Sequence, residues 1–313
     1  MDSLRIHEVG LRDGLQMESQ VVPLETKISW IERLIAAGTD IIQVGSFVHP
    51  GKVPQMADTD QLFRELSSRN IRSERTVFSA LVLNEKGLDR GLIAGVSMLC
   101  MGVSASETHS RKNTGMSIAE ATERIIAIGK SAVNAGVKVQ MSVQSAFGCG
   151  YEGPVPRERV LGIARRFMDA GFTTISLADT AGHAMPDAVE ALFEGLRSTN
   201  DAAEFACHFH NTYGVGLANC FAALRVGVQY FESSIAGLGG CPFTKIAGGN
   251  VCTEDLVHMT QHMGLLPDVN LAQLIALATD VEAFFQRELP GTVHRVQPIP
   301  ERVSGHHSNG STH

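Results

Sequence analysis

Two histidines, His208 and His210, form the pattern in this sequence best suited to chemistry, because they lie two residues apart at the end of an apolar run at residues 205–209. Side chains of a β-strand alternate between its faces, so both imidazoles point to the same side and can bind one divalent cation. Asn211 and Gly214 follow, and both residue types are typical of turns that end a strand. A pair of core or surface histidines would have the same spacing, so this interpretation needs support from the rest of the chain.

A second reactive group, Arg12 and Asp13, follows an apolar run at residues 6–9. Asp13 and the two histidines form a mixed oxygen and nitrogen set, which suits Mg²⁺, Mn²⁺ or Zn²⁺ with open positions for a substrate. Asn250 can add a carbonyl oxygen to this set. The guanidinium of Arg12 can stabilise an oxyanion or enolate near the metal, or it can simply form a salt bridge in the loop with Asp13.

Three further segments have polar residues with two interpretations each. Cys241 lies in the glycine-rich residues 237–242, where it is either a proton donor or acceptor on a mobile loop or a cysteine tolerated in a turn. Asp179 is either the N-cap of the next helix or a partner of the histidines. Residues 104–113 are either the start of a solvated helix or a site that binds a phosphorylated cofactor.

Alternation of apolar runs and amphipathic stretches predicts the fold. The predicted strands are residues 6–9, 41–44, 77–81, 95–101, 137–143, 174–177, 205–209 and 230–233. The predicted helices between them include residues 26–37, 117–135, 157–170, 186–197 and 217–226. Several of these helices end in a glycine, as a left-handed C-cap requires. Eight βα units within roughly 240 residues indicate an α/β protein with a closed (β/α)8 TIM barrel. An open doubly wound sheet is the alternative, although no G-x-G-x-x-G pattern follows the first run.

The C-terminal part is predicted to add helices at residues 253–263 and 271–288. We therefore expect a single barrel domain over residues 1–303 with extra C-terminal helices. Residues 304–313 are rich in Gly, Ser and His, and we expect this tail to be disordered.

Composition excludes several classes of function. The chain has 313 residues, 44% of them hydrophobic and 19% charged, and a formal net charge of −7. The acidic balance argues against non-specific nucleic-acid binding, and no apolar run is long enough to span a membrane. The first residues resemble neither a signal nor a transit peptide, so a cytoplasmic protein is expected. The six cysteines form no C-x-x-C pair: Cys100, Cys149, Cys207, Cys220, Cys241 and Cys252. Most are expected to be buried thiols, and Cys241 is the candidate exception.

These motifs together resemble the 3-hydroxy-3-methylglutaryl-CoA lyase family of metal-dependent TIM-barrel lyases. The matching segments are residues 9–16, 46–50, 53–58, 148–153, 208–214, 237–242 and 249–256. The resemblance extends over about residues 5 to 285. The Arg-Asp-Gly and His-x-His motifs also occur in related Claisen-type synthases and aldolases, whereas the Gly-Leu-Gly-Gly-Cys-Pro and Thr-Glu-Asp-Leu motifs point to the lyases.

The resemblance implies a set of site residues and a reaction. The divalent metal would be held by Asp13, His208, His210 and Asn250. The catalytic residues would be Arg12, Asp13, His208 and Cys241, and coenzyme A would lie near Arg111, Lys112 and Asn113. The expected reaction is a retro-Claisen cleavage of a 3-hydroxyacyl-CoA to acetyl-CoA and a ketone or keto acid. A homodimer or tetramer is expected by analogy with other barrels.

The sequence also departs from the family pattern. Gln43 stands where the family usually has an acidic residue, and Gln140 and Ser142 stand where it typically has basic and aromatic residues. We therefore expect the chemistry to be retained and the acyl group to differ, as in a citramalyl-CoA-like or longer branched thioester. A condensing enzyme of the isopropylmalate synthase type is the alternative, but such enzymes generally carry an added regulatory domain. A barrel kept only for binding is a further alternative, which the intact site residues oppose.

Overall fold

Eight parallel strands form a closed barrel in the computed structural model, which describes residues 4–240, 249–296 and 299. The strands are β1 Arg5–Glu8, β2 Ile41–Ser46, β3 Val77–Leu81, β4 Met98–Ser104, β5 Lys138–Gln144, β6 Thr174–Ala178, β7 Glu204–His208 and β8 Tyr230–Ser233. Each strand pairs with the next in sequence, and β8 closes the barrel on β1, with Arg5 opposite Tyr230. The predicted (β/α)8 fold is confirmed, and the open sheet is excluded.

Helices surround the barrel in the order that the alternation predicts. They are α1 Leu24–Ala36, α2 Thr59–Ser68, α3 Glu85–Ile93, α4 Glu107–Thr114, α5 Ile118–Asn134, α6 Arg157–Asp169, α7 Pro186–Arg197, α8 Gly216–Arg225, α9 Thr253–His262 and α10 Leu271–Phe285. The predicted C-terminal helices correspond to α9 and α10. Within the part of the chain that the structure describes, no helix has the length and apolar character needed to cross a membrane.

The main hydrophobic core lies between the outer faces of the strands and the inner faces of the helices, and it includes Ile31, Phe167, Phe193 and Phe205. Near the N-terminal ends of the strands, a small apolar cluster fills the barrel itself: Ile41, Met98, Cys100, Ala206 and Tyr230. Because this cluster closes the lower end of the barrel, a substrate can approach only from the end where the strands finish.

Polar side chains fill the middle of the barrel. His7, Ser79, Gln140, Ser176 and Glu232 are all buried there. His7 Nε2 lies 2.9 Å from Ser79 Oγ, and Gln140 donates to Glu232 over 2.6 Å. Burial lowers the pKa of His7 to about 4, so this imidazole is neutral at physiological pH. The candidate metal ligands therefore rest on a hydrogen-bonded polar layer.

One predicted strand begins and ends later than expected, and the segment that follows it forms a helix, which was one of its two interpretations. Strand β4 is predicted at residues 95–101, but it runs from Met98 to Ser104, because Gly95, with φ +73°, directly follows the C-cap Ala94 of α3 and still belongs to the end of that helix. The segment at 104–113 is mostly the short helix α4, whose N-cap Ser106 accepts a hydrogen bond from the backbone N–H of His109. Cys241 and the tail at 304–313 lie outside the described residues.

Candidate active site

A tight turn after β1 positions Arg12 and Asp13. Residues Gly10–Gly14 form a π-helical turn in which the backbone N–H groups of Arg12, Asp13 and Gly14 lie 3.0, 2.7 and 3.3 Å from the carbonyl oxygen of Val9. A Cβ atom at Gly10 would lie 2.6 Å from Glu8 Oε1, so only glycine fits there. The turn directs the carboxylate of Asp13 into the barrel mouth, where that residue is 9% exposed.

The end of β7 supplies the two histidines. His208 is the last residue of β7, and His210 pairs with Asn250 in an isolated β-bridge. Phe209 between them points the other way, into the hydrophobic core. Nε2 of His208 and Nε2 of His210 are 3.1 Å apart, and they lie 3.7 and 4.0 Å from Asp13 Oδ2. The structure therefore brings the three predicted ligands to one point.

Asn250 lies against the same carboxylate. Its Nδ2 donates to Asp13 Oδ2 over 3.0 Å and to the carbonyl oxygen of Leu238 over 3.0 Å. Its Oδ1 is buried and has no hydrogen-bond partner among the described residues. An orphaned buried oxygen beside a ligand set is costly unless a cation or water satisfies it.

The donor set suits a divalent metal ion. Glu232 Oε2 lies 2.9 Å from His208 Nδ1, and because a carboxylate only accepts, Nδ1 carries the proton. In the neutral imidazole, Nε2 of His208 then presents a lone pair towards Asp13 and His210. Two imidazole nitrogens and a carboxylate oxygen, from His208, His210 and Asp13, lie close enough to bind one divalent cation, and such a mixed set suits Mg²⁺, Mn²⁺ or Zn²⁺.

Charges around the site favour an anionic Asp13. Burial alone would raise the pKa of Asp13, but Arg12 and the two histidines hold it well below its usual range. Burial and the neighbouring His208 lower the pKa of His210 to about 4, so this imidazole is neutral. Burial acts in the same direction on His208, but the hydrogen bond to Glu232 and the charges of Asp13 and Glu232 together outweigh it and raise the pKa of His208.

Arg12 lies beside the ligands and is largely buried, with 11% of its side chain exposed. Its guanidinium donates to Asp13 Oδ1 and to Gln43 Oε1. Gln16 also donates to Asp13 Oδ1, over 2.9 Å. The salt bridge with Asp13 is therefore present, and it holds the guanidinium at the mouth of the barrel beside the candidate ligands.

A cavity of about 450 Å³ opens from these residues towards β3, β4 and α5. Gln43, Gln140 and Ser142 line it near the candidate ligands, as Arg12 and Glu232 do. Its far wall is largely apolar and includes Leu81, Leu83, Met116, Ala121 and Ile125. The cavity therefore joins a charged end to an apolar end.

The residues predicted to bind coenzyme A lie on α4 at the rim. Asn113 lines the cavity, and its Nδ2 is 2.8 Å from Nε2 of His109. Lys112 Nζ lies 4.0 Å from the centroid of the Tyr151 ring, and Tyr151 also lines the cavity. Arg111 is exposed and pairs with Glu107 over 2.8 Å, outside the lining of the cavity. The three residues mark one side of the entrance.

Asp179 caps a turn rather than a helix. Its Oδ1 accepts from the backbone N–H of His183 over 2.8 Å, whereas the N-cap of α7 is Met185. Its backbone N–H donates to the carbonyl oxygen of His208. Burial raises the pKa of Asp179 to about 6. This residue supports the end of β7, and the helix-capping interpretation was wrong.

Glu232 was not identified from the sequence. It alternates with Tyr230 along β8, so both side chains point into the barrel, and an acidic residue at such a position is expected to have a specific partner. The strand itself was predicted, but its four residues do not indicate which side chains of other strands Glu232 contacts.

Comparisons with known proteins agree with this geometry. The HMGL-like family model matches residues 3–281. A hydroxymethylglutaryl-CoA lyase of Bacillus subtilis is 37% identical over 91% of this chain and 94% of its own length. An (R)-citramalyl-CoA lyase of Chloroflexus aurantiacus is 38% identical over 97% of this chain and 98% of its own.

A solved structure gives the same result. An HMG-CoA lyase from Acinetobacter baumannii, in complex with coenzyme A and 3-methylmalate, matches with a TM-score of 0.87 and 33% identity. The match covers 96% of this chain and 98% of that chain. The resemblance inferred from the motifs is confirmed, and the chain belongs to the HMGL-like family.

Proposed function

We propose that this protein cleaves a 3-hydroxyacyl-CoA by a retro-Claisen reaction, giving acetyl-CoA and a ketone or keto acid. The observation that carries the proposal is the convergence of Asp13, His208 and His210 beside Arg12 at the mouth of the barrel. The names of the two relatives, lyases of hydroxymethylglutaryl-CoA and of (R)-citramalyl-CoA, support the same reaction class.

The proposed reaction needs two proton transfers, one from the substrate hydroxyl and one to the enolate carbon. A divalent metal held by Asp13, His208, His210 and Asn250 would supply Lewis acidity that makes the substrate hydroxyl more acidic. Mg²⁺ or Mn²⁺ is the proposed metal ion, and Zn²⁺ is the alternative. Asp13 or His208 takes the hydroxyl proton, and the carbon–carbon bond then breaks to give the carbonyl product and the enolate of acetyl-CoA. A proton delivered to the enolate carbon completes acetyl-CoA.

Two residues have proposed roles after bond cleavage. Arg12 stabilises the enolate oxygen, since hydrogen bonds to Asp13 and Gln43 engage only two of the five N–H groups of a guanidinium. Cys241, or an acid relayed through His208, protonates the enolate carbon. A loop that closes over the mouth would exclude water during this step.

We assign the entrance along α4 to coenzyme A. Asn113 and Lys112 lie beside Tyr151 at the rim, and Arg111 on the same helix is exposed. Cationic side chains at such a rim can bind the phosphates of coenzyme A, while the thioester end reaches the candidate ligands. Cross-linking of bound coenzyme A to residues on another face of the barrel would contradict this assignment.

The acyl group is proposed to differ from hydroxymethylglutaryl. Gln43 is neutral and bonded to Arg12, and Ser142 is a small residue in the cavity wall. The apolar end formed by Leu81, Met116 and Ile125 offers room for a branch. A citramalyl-CoA-like or longer branched 3-hydroxyglutaryl thioester fits these features, and the (R)-citramalyl-CoA lyase relative supports the first of these.

A substrate panel tests both proposals. Turnover of several 3-hydroxyacyl-CoA thioesters, including 3-hydroxy-3-methylglutaryl-CoA and citramalyl-CoA, is measured with Mg²⁺ or Mn²⁺ by following acetyl-CoA release by mass. Cleavage of citramalyl-CoA or a longer branched thioester with little cleavage of 3-hydroxy-3-methylglutaryl-CoA is expected. Equal or better turnover of 3-hydroxy-3-methylglutaryl-CoA would contradict the altered specificity, and no cleavage of any member would contradict the lyase proposal itself.

Two single variants test the site directly. His208→Ala and His210→Ala should each abolish activity and metal affinity, because each removes one of the convergent nitrogen ligands. Circular dichroism should show an intact fold. Near wild-type activity in either variant would show that the metal site is misassigned.

A further inference from the structure

Glu232 connects the candidate metal ligands to the polar layer beneath them. It lies in the middle of β8, is 7% exposed, and points into the barrel. Its Oε2 lies 2.9 Å from His208 Nδ1. Its Oε1 accepts from Gln140 Nε2 over 2.6 Å and from Ser176 Oγ over 3.3 Å. Both carboxylate oxygens are therefore engaged, and three different strands hold them.

We propose that Glu232, held by Gln140 and Ser176, is a positioning residue that fixes the tautomer and ring orientation of His208 and so sets the metal affinity of the site. The inference rests on the proposed function, since it takes the convergent set of Asp13, His208 and His210 as the metal site. A carboxylate on Nδ1 keeps the proton there and directs the lone pair of Nε2 towards the metal position.

The negative charge of Glu232 acts mainly on His208, because of the residue types that hydrogen-bond to this carboxylate. Among the described residues that hydrogen-bond to Glu232, only His208 can carry a positive charge, because Gln140 and Ser176 are neutral donors. Gln140 and Ser176 therefore orient the carboxylate by hydrogen bonds, but neither forms an ion pair with it. A basic residue at position 140 would form an ion pair with Glu232 and weaken its hold on His208.

Metal titration of the whole protein without substrate tests the inference. Glu232→Gln keeps the shape of the side chain but removes its charge. The amide nitrogen of the new side chain is a donor, so it faces another donor, either Gln140 or His208, and one of the two hydrogen bonds is lost. Isothermal titration with Mn²⁺ should give a dissociation constant about 10 to 100 times weaker than that of the wild type. ¹⁵N spectra of the metal-free protein, recorded at a pH at which His208 is neutral, should show its proton confined to Nδ1 only in the wild type.

Glu204→Gln is the matched control. Glu204 lies on β7 four residues before His208, about 13 Å along the strand, and its carboxylate accepts from Tyr230 Oη over 3.0 Å. The same charge is removed from a neighbouring strand without contact to the site. This variant should bind Mn²⁺ within twofold of the wild type.

Gln140→Met provides a second test should Glu232→Gln fail to fold. It removes the 2.6 Å donor to Glu232, together with the polar contact of Gln140 with His7, and should weaken Mn²⁺ binding by a smaller factor, of roughly 3 to 10. Wild-type Mn²⁺ affinity and a wild-type ¹⁵N spectrum in the folded variants would overturn the inference. If His208→Ala also bound Mn²⁺ normally, the proposed metal site would fail instead, so the two outcomes are distinguishable.

Discussion

At the scale of single residues, Arg12 links the candidate ligands to the part of the cavity where specificity is expected. Its guanidinium bonds to the ligand Asp13 on one side and to neutral Gln43 on the other. Because Gln43 carries no charge, Asp13 alone neutralises Arg12 among these partners. A second carboxylate at position 43 would reduce the positive potential that Arg12 offers to an enolate oxygen.

Arg12→Lys tests this role, since lysine keeps the charge but lacks the planar fork of donors. A lysine ammonium cannot bind Asp13, Gln43 and a substrate oxygen in the same geometry. We expect kcat to fall by about 10² to 10³, while Mn²⁺ affinity changes little because no ligand is removed. Steady-state kinetics and metal titration measure the two effects. Arg33→Lys, at an exposed ion pair with Asp280, is the control, and an unchanged kcat in Arg12→Lys would contradict the proposed role.

Residue-scale prediction depended on regular spacing. The His-x-His pattern gave His208 and His210 because alternation along a strand places them on one face. Asn250 was predicted as an oxygen donor, and the structure leaves its Oδ1 without a described partner beside Asp13. Glu232 could not be assigned, because its partners Gln140 and Ser176 lie on other strands and come close only when the barrel forms.

At the scale of elements, Glu8 joins β1 to the segments that follow β8. Its Oε1 accepts from the backbone N–H groups of Gly10 over 2.7 Å and Ile235 over 2.9 Å. Its Oε2 accepts from Thr253 Oγ1, whose hydroxyl also lies 2.9 Å from Ser233 Oγ. This one carboxylate therefore orders the turn that carries Arg12 and the start of α9.

Burial of Glu8 should make stability depend on pH. Burial raises the pKa of Glu8 to about 7 from an ordinary value of 4.5. The folded state thus binds the proton more tightly than the unfolded state does, and this contribution is lost as pH rises from about 4.5 to about 7. The effect is of the order of 3 kcal/mol, at 1.36 kcal/mol for each pKa unit.

Glu8→Gln should flatten this part of the pH dependence. The amide can still accept from Gly10 and Ile235 and can donate to Thr253 Oγ1, so the fold should remain intact. Urea unfolding at pH 5 and pH 8 measures the change. Glu158→Gln, at an exposed position of α6, is the control for loss of a carboxylate. If Glu8→Gln lost as much stability between the two pH values as the wild type, the raised pKa would be contradicted.

Some elements were predicted to the residue, and a helix that contains two glycines was missed. Strands β3 and β8 and helix α7 match their predicted bounds. Helix α3 was not predicted, because it contains Gly87 and Gly91, which weaken a helical pattern. Packing requires glycine at position 87, since a Cβ atom there would lie 2.9 Å from the carbonyl oxygen of Phe47.

At the scale of the whole molecule, the closed barrel followed from the sequence and the position of the C-terminal segment did not. Eight alternating units and right-handed crossovers leave few other arrangements. No periodic pattern specifies where residues 289–296 lie after α10. In the structure, the backbone N–H of Gly291 donates to the carbonyl oxygen of Ala236, so this segment packs on the loop that follows β8.

His294 anchors that segment. Its Nδ1 lies 3.0 Å from Glu254 Oε1 on α9, and its Nε2 lies 3.2 Å from Glu282 Oε2 on α10. Only 1% of its side chain is exposed. The other oxygen of Glu254 accepts from the backbone N–H of Ala236 over 3.0 Å. One imidazole between two carboxylates therefore connects the C-terminal helices to the loop beside the candidate active site.

His294→Asn should destabilise the protein in a pH-dependent way. The hydrogen bond to Glu254 raises the pKa of His294. The stabilisation is therefore fully present below the unfolded pKa of about 6.5 and is lost as pH rises through the higher folded value. We expect a loss of about 1 to 3 kcal/mol at pH 6 and a smaller loss at pH 9. Denaturant unfolding of the wild type and variant at both pH values measures the difference.

The control for this variant is His262→Asn, at an exposed position at the end of α9. It removes an imidazole from the same helical region without breaking the pair of carboxylate contacts. A loss of stability that is equal at pH 6 and pH 9 for His294→Asn would show that packing alone, rather than a charged imidazole between Glu254 and Glu282, holds the C-terminal segment on the barrel. A loss confined to pH 6 would show that a protonated His294 holds the C-terminal segment against the loop that follows β8.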